Sequence, residues 1–258
     1  MTAIFSDIHG NSPALRAILD DIASHNVDEI VCLGDVIPGV DPVGCVELLV
    51  DADVRCIRGN AEENLCTPNI GGFPWRNVEN WEWIVPMFTW IYEALTPDQR
   101  EIIRSWPTEI RRHDAWLIHD SPADRADFPG SVDGLPKEYA TLYWHGQGIS
   151  RKAEESVFEE NLRIMAGRDI SKLFIGHTHE PWIRHFPNAS ICNVGSGGMP
   201  LDGDSRPSWV LWDDAGMSIH RVIYDFDAFE RIIDSTDYPN LNQHYKDMFR
   251  KGIHWRGL

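Results

Sequence analysis

The stretch Ile4-Phe5-Ser6-Asp7-Ile8-His9-Gly10-Asn11 ends an apolar run in a carboxylate, an imidazole and a glycine, and a helix start follows at once. Read as the extended exit of a strand, it sets Asp7 and His9 two apart, so their side chains leave on the same face. A carboxylate beside an imidazole is half of a metal site, because both ligate borderline divalent ions. Such a pair is also ordinary loop chemistry, and its meaning rests on what lies downstream. Ser12 reads as a helix N-cap with Pro13 at the first helical position. Ala14, Leu15, Ile18, Leu19 and Ile22 then recur at helical spacing, one buried face running to about residue 25.

The same rhythm repeats. A β-rich run over 29–33 ends at Gly34-Asp35, and 42–51 reads as a helix with Val43, Val46, Leu49 and Val50 inside. Residues 54–57 give a third strand, which ends at Arg58-Gly59-Asn60. Alternating strands and helices predict a parallel sheet with right-handed crossovers. Each strand delivers a polar side chain just past its C-terminal end, the edge at which open α/β sheets collect ligands.

Between about 62 and 112 the rhythm breaks, and Trp75, Trp81, Trp83, Phe88, Trp90, Tyr92 and Trp106 crowd the segment. Thr96-Pro97-Asp98-Gln99 is a capping box opening a further helix. This predicts a helical cap inserted over the sheet edge, whose tryptophans either form its core or line a pocket and stack on a base or aryl group.

Residues 109–112 and 115–119 read as a hairpin through His113-Asp114, and its second strand runs into His119. A second insertion is placed at about 121–166. It ends in an amphipathic helix over 153–165 with Val157, Phe158, Leu162 and Met165 on one side. A strand over 172–175 enters Gly176-His177-Thr178-His179. The remainder reads as antiparallel strands at 182–186, 190–194, 208–212 and 218–224, with turns at Pro187-Asn188 and Asp213-Asp214-Ala215-Gly216 and a helical tail from about 227.

The 258 residues, 43% of them hydrophobic, suffice for one substantial core, and no linker divides 1–258 into separate domains. A formal charge of −17 argues against a general binder of nucleic acid or anionic membrane, so a small anionic substrate needs local positive charge such as bound metal. Cys32, Cys45, Cys56, Cys66 and Cys192 form no C-x-x-C pair and are odd in number, which predicts reduced thiols in a cytoplasmic protein. No leader precedes the first strand and no apolar run approaches a membrane span, which supports the same expectation.

Five strand exits therefore offer ligands: Asp7 with His9, Asp35, Asn60, His119, and His177 with His179. Mixed nitrogen and oxygen donors, with a carboxylate able to bridge, suit a pair of ions such as Mn, Fe, Co, Ni or Zn. A magnesium or calcium site built purely of oxygens is disfavoured. This series, in this order and strand context, resembles the calcineurin-like metallophosphoesterase superfamily, in the flavour of its small prokaryotic phosphodiesterases. Asn193-Val194-Gly195-Ser196 and Gly203-Asp204-Ser205-Arg206 are similar to the closing segment of that branch.

The resemblance implies an α/β fold, a four-layer α/β/β/α sandwich of two mixed sheets, here with the tryptophan-rich helical cap added. It implies two divalent transition-metal ions, manganese or iron favoured. One would be held by Asp7, His9, Asp35 and His179, the other by Asp35, Asn60, His119 and His177, with Asp35 bridging. A bridging hydroxide between ions about 3.5–4 Å apart would attack phosphorus in line. The function implied is hydrolysis of a phosphodiester or nucleotide-type small molecule. The alternatives are a phosphoprotein phosphatase, a dinucleoside-polyphosphate hydrolase, or a non-catalytic metal-binding scaffold. All seven ligand positions hold competent side chains, which favours the enzyme.

One motif departs from the pattern. The family's third motif usually reads Gly-Asn-His-Asp or Gly-Asn-His-Glu, whereas this chain has Gly59-Asn60-Ala61-Glu62. The absent histidine is the one expected to protonate the leaving oxygen or touch the phosphate, help worth roughly 10²–10⁴-fold. That predicts a preference for diesters or anhydrides with stable leaving groups, or a stand-in acid from the cap. His145 is offered for that role beside its plainer reading as a surface or packing residue, and Glu62 for a supporting one. Asn11 and Arg206 are the candidates for substrate phosphate, Arg206 for its forked donor geometry. His25, His113, His185, His220, His244 and His254 match no motif and are read as surface or structural.

Overall fold

The computed structural model describes residues 1–66, 81–123, 148–239, 241 and 243–253, the side chains of 81–84 and 244 excepted. β1 (Thr2–Phe5) is buried along its whole length, Ile4 facing one core cluster and Ala3 and Phe5 the other, with a paired strand on each side. It pairs in parallel with β2 (Glu29–Cys32) and antiparallel with β9 (Ser208–Asp213). With β3 (Arg55–Cys56) and β10 (Gly216–Arg221) these form a five-stranded mixed sheet of order β10-β9-β1-β2-β3. The second five-stranded sheet, order β4-β5-β6-β8-β7, joins β4 (Glu109–Arg112), β5 (Ala115–Ile118), β6 (Lys172–Ile175), β7 (Trp182–Phe186) and β8 (Ala189–Asn193).

The period-two alternation of each strand sorts side chains between layers. Ile4, Val31, Leu117, Phe174 and Val210 form the core between the two sheets. Ala3, Phe5 and Cys32 point the other way, onto α1 (Ser12–Ile22) and α2 (Pro42–Asp51) through Leu15, Ile18, Val46 and Leu49. On the far side Trp116, Ile118, Leu173 and Ile175 meet α6 (Glu155–Ala166) through Phe158 and Met165. The result is the four-layer α/β/β/α sandwich.

Several expectations are corrected in detail. Asn11, not Ser12, caps α1: its side chain accepts from the Ala14 N–H at 3.1 Å, and Ser12 instead hydrogen-bonds Asp41, the cap of α2. The inner face of α6 is Phe158, Asn161, Ile164 and Met165, while Val157 is exposed. Asn161 goes inside because it accepts from the Ala123 N–H (3.0 Å), a partner that hydrophobic periodicity does not register. The late strands are not one antiparallel set: β8 pairs in parallel with β6, and the β9–β10 hairpin crosses to the other sheet beside β1.

α3 (Asn60–Cys66), α4 (Trp81–Ala94) and α5 (Pro97–Ser105) follow β3. α4 packs on α2 and α5 on α3, and Phe88, Ile91, Leu95, Ile103 and Trp106 join the same core as α1 and α2. The capping box of α5 is complete at both Thr96 and Gln99. Trp106 is buried, and Trp90 donates to Asp237 (2.7 Å), so both serve packing. Trp75 and His145 lie outside the described residues, as do the side chains of Trp81 and Trp83. The chain closes with α7 (Phe226–Ser235) and α8 (Gln243–Lys251), whose Phe229 and Phe249 also enter that core. Among the described residues no helix is long and apolar enough to cross a membrane.

Candidate metal centre

The loops leaving β1, β2, β3, β5 and β6 meet between the two sheets' ends, held by backbone hydrogen bonds. Asp7 N donates to Gly34 O (2.9 Å), His9 N to Asp35 O (3.1 Å) and Gly176 N to His119 O (2.8 Å). His177 N donates to Asp7 Oδ2 (3.0 Å), which ties one sheet's loop to the other's. Asp7 and His9 are not extended, as the alternation argument assumed. Their φ values are +56° and +48°, and Asp35 (+50°), His177 (+67°) and His179 (+60°) share the left-handed region. Such backbone costs about 1–3 kcal/mol per residue and persists where the surroundings over-determine it, a signature of functional sites. The loops also touch closely: a Cβ on Gly34 (φ +97°) would lie 2.1 Å from Gly59 N.

Two groups of side chains result. Asp7, His9 and His179 bring one ligand atom each within 4.8 Å of one another, and Asp35, His119 and His177 do the same. In the first, Asp7 Oδ1 is 3.3 Å from His179 Nε2 and 3.8 Å from His9 Nε2. In the second, His119 Nε2 is 3.4 Å from Asp35 Oδ2 and 3.3 Å from His177 Nδ1. The groups adjoin: Asp35 Oδ2 also stands 4.0 Å from His9 Nε2, and Asp7 Oδ1 stands 4.0 Å from His119 Nε2. Asn60 Oδ1 faces His119 Nε2 at 3.1 Å and His177 Nδ1 at 3.0 Å; turned over, its Nδ2 would donate to both and to Asp35.

The donor set fits metal. Among the described residues Asp7 Oδ1 is buried without a hydrogen-bond partner, a costly arrangement unless a cation completes it. His119 Nδ1 contacts Leu33 O (2.9 Å) and His179 Nδ1 contacts Met199 O (2.6 Å), which fixes each ring with Nε2 toward the centre. Charges reinforce the grouping. Burial works against the ionised Asp7 and Asp35, yet the neighbouring histidines outweigh it: Asp7 falls well below the usual carboxylate range and Asp35 to about 2. His119 is buried too, and the Asp35 and Asp7 charges still raise it to about 10. His179 rises against its own burial for the same reason, whereas burial and the His119 charge lower His177.

Glu62 is the structural residue that sequence reasoning under-weighted. It is fully buried, and its carboxylate accepts from the N–H groups of Asp35, Val36, Ile37 and Gly59 at 2.8–3.1 Å. Burial and the Asp35 charge raise it to about 7 against those donors. The visible signal was only its place three residues after Gly59, since the other donors lie 25–27 residues earlier. Ala61 is buried, and its N–H donates to Asp35 Oδ1 at 2.9 Å.

Asn11 is fully buried; besides its cap it donates to Gly198 O (2.8 Å) and contacts Tyr224 Oη (3.3 Å). Its polar atoms hold α1 to the 198 and 224 segments rather than being presented to a substrate. Arg206 is exposed and binds Asp204 through Nε and Nη2, at a cavity that none of the seven ligand candidates lines.

A four-layer sandwich with histidines and carboxylates gathered at the strand exits of both sheets is the architecture of a metal-dependent phosphoesterase, a hydrolase of phosphoric esters. The chain belongs to the calcineurin-like phosphoesterase superfamily, whose domain matches residues 1–214. It is 24% identical over 253 residues to an uncharacterized protein of Methanocaldococcus jannaschii, covering 90% of this chain and 92% of that one. Its fold is that of a metallophosphoesterase from Sphaerobacter thermophilus (TM-score 0.72, 22% identity, 98% of each chain covered). A hypothetical protein from Pyrococcus horikoshii is similar in the same way (TM-score 0.73, 18% identity, 99% of each chain covered).

Proposed function

We propose that the protein is a two-metal phosphodiesterase acting on a small phosphodiester or nucleotide-type substrate. The observation that carries this reading is the adjacency of the two ligand groups: His9 Nε2 lies 3.8 Å from Asp7 and 4.0 Å from Asp35, and His119 Nε2 lies 3.4 Å from Asp35 and 4.0 Å from Asp7. Asp7, His9, Asp35 and His179 would hold one cation, and Asp35, Asn60, His119 and His177 the other, with manganese or iron favoured. When bound, such cations neutralise phosphoryl oxygens and acidify water at neutral pH.

The chain's own residues set the rest. Asp35, pinned by the Ala61 N–H, keeps both groups in register, and Asn60 can ligate through its oxygen while its amide nitrogen donates to a phosphate oxygen. Nδ1 contacts to backbone carbonyls hold the His119 and His179 rings so that little reorganisation accompanies reaction. Ala61 offers no proton to the leaving oxygen, so esters and anhydrides with stable leaving groups are preferred. The free state of all five cysteines supports a cytoplasmic location, and the charge of −17 supports a small substrate over nucleic acid or membrane.

The test is a panel of aryl diester, aryl monoester, phosphopeptide and diadenosine polyphosphate with manganese-loaded protein. Aryl diester turnover supports the proposal. Turnover confined to phosphopeptide or diadenosine polyphosphate replaces it with those activities, and bound metal with no turnover replaces it with a scaffold.

A further inference from the structure

Outside the metal centre, α7, α8 and the turn at 203–206 border an open surface cavity of about 380 Å³. That volume lies within the range of about 300–1,000 Å³ that small-ligand sites occupy. Its walls combine two chemistries. Phe226 and Tyr224 supply aromatic surface, with the buried Phe249 beneath, and Arg206 and Arg250 supply guanidinium. Asp204, Glu230 and Asp227 offset the two arginines, so an anion would be met there by directed donors and not by a net positive field.

The arginines are held in place and remain able to bind. Arg250 lies over the Phe226 ring, 4.8 Å from its centroid, and its Nη2 donates to Glu230 at 3.0 Å. Arg206 uses Nε and Nη2 on Asp204, which leaves Nη1 without a partner among the described residues. The turn itself is fixed from below: Arg221 Nη1 donates to the carbonyls of Asp204 (3.3 Å) and Arg206 (2.7 Å), and Gly203 N donates to Gly252 O (2.8 Å). Ile223 is 83% exposed at this cavity, a large apolar side chain that folding alone leaves uncovered. Asp227 adds a carboxylate able to accept from a ligand N–H or O–H.

We propose that this cavity is a second ligand site, separate from the metal centre, for a small molecule joining an anionic group to a flat aromatic body. A nucleoside monophosphate has that chemistry. The anion would meet Arg206 and Arg250 as charge-assisted hydrogen bonds, and the aromatic body would pack against Phe226, Tyr224 and the exposed Ile223. The inner wall is not remote from the ligand loops, since Tyr224 Oη contacts Asn11, two residues after His9.

The experiment is calorimetric titration of the full chain, kept metal-free with chelator, using adenosine 5′-monophosphate, adenosine and inorganic phosphate. The expected result is saturable binding of one monophosphate per chain, with adenosine and phosphate each weaker by at least about tenfold. Combining Arg206→Gln with Arg250→Gln should weaken the monophosphate by at least about tenfold, and so should Ile223→Glu, an exposed change that leaves the core untouched. Asp35→Asn should leave the affinity unchanged. No saturable binding, or binding lost with Asp35→Asn and kept in both cavity variants, overturns the proposal. Because the readout needs neither metal nor turnover, it stands or falls independently of the phosphodiesterase reading.

Discussion

Glu62 and Asp35 hold each other's surroundings in place: the Glu62 carboxylate accepts the Asp35 backbone N–H at 2.8 Å, and the Asp35 carboxylate accepts the N–H of Ala61, the residue beside Glu62, at 2.9 Å. One buried side chain thereby fixes the β2 and β3 exits together. The carboxylate proposed to bridge two cations is oriented by the chain before any cation arrives.

Glu62→Ala should strip acceptors from four buried N–H groups and destabilise the fold by more than about 3 kcal/mol. Glu62→Gln, which keeps the shape but turns one acceptor oxygen into a donor, should fall between that variant and the parent. Urea denaturation of the metal-free chain measures both. Equal stability of all three proteins would show that the clasp is incidental.

Asp35→Asn should loosen both ligand groups together. Loss of even an outer-shell partner typically costs about 10–100-fold in affinity or activity, and a shared ligand should exceed that. Metal content after dialysis and aryl diester turnover are the readouts. Retention of one cation at full occupancy would argue that Asp35 serves a single site.

Ala61→His tests whether a missing general acid limits the enzyme. The gain should be selective, larger for alkyl than for aryl leaving groups, within the roughly 10²–10⁴-fold span of such catalysis. Because Ala61 is only 1% exposed, the melting temperature should be followed alongside. An intact fold with an unchanged alkyl-to-aryl ratio would assign proton delivery elsewhere.

Asp204 gives a pH-dependent stability term. Arg206 bonds its carboxylate and lowers it from the ordinary 3.8 to about 2. Since the unfolded state then binds more protons below pH 3.8, the pair's contribution is complete above that value and is lost as pH falls through about 2. The pair is partly exposed, which caps the effect at about 1 kcal/mol or less. Urea denaturation of Asp204→Asn and parent should differ at pH 5 and converge near pH 2, with a gap that shrinks as salt is raised.

The sequence showed the strand-helix alternation and the ligand-type side chains at the strand exits, and its family resemblance implied the sandwich and the candidate metal centre. Asp7, His9, Asp35, Asn60, His119, His177 and His179 each follow a short apolar strand, and parallel strands deliver their C-terminal ends to one edge. Local signals with a local partner were equally legible, as the Thr96–Gln99 capping box shows. Tertiary structure decided what depends on distant backbone. Asn11 caps a helix and reaches Gly198, Asn161 turns inward for the Ala123 N–H, and Glu62 serves donors 25–27 residues earlier. The left-handed backbone of Asp7 and His9 was hidden for the same reason: alternation describes an undisturbed strand, whereas contacts with the neighbouring loops set their φ. The arginine-lined cavity exists only because α8 folds back against the 203–206 turn, a closure that residue spacing does not encode.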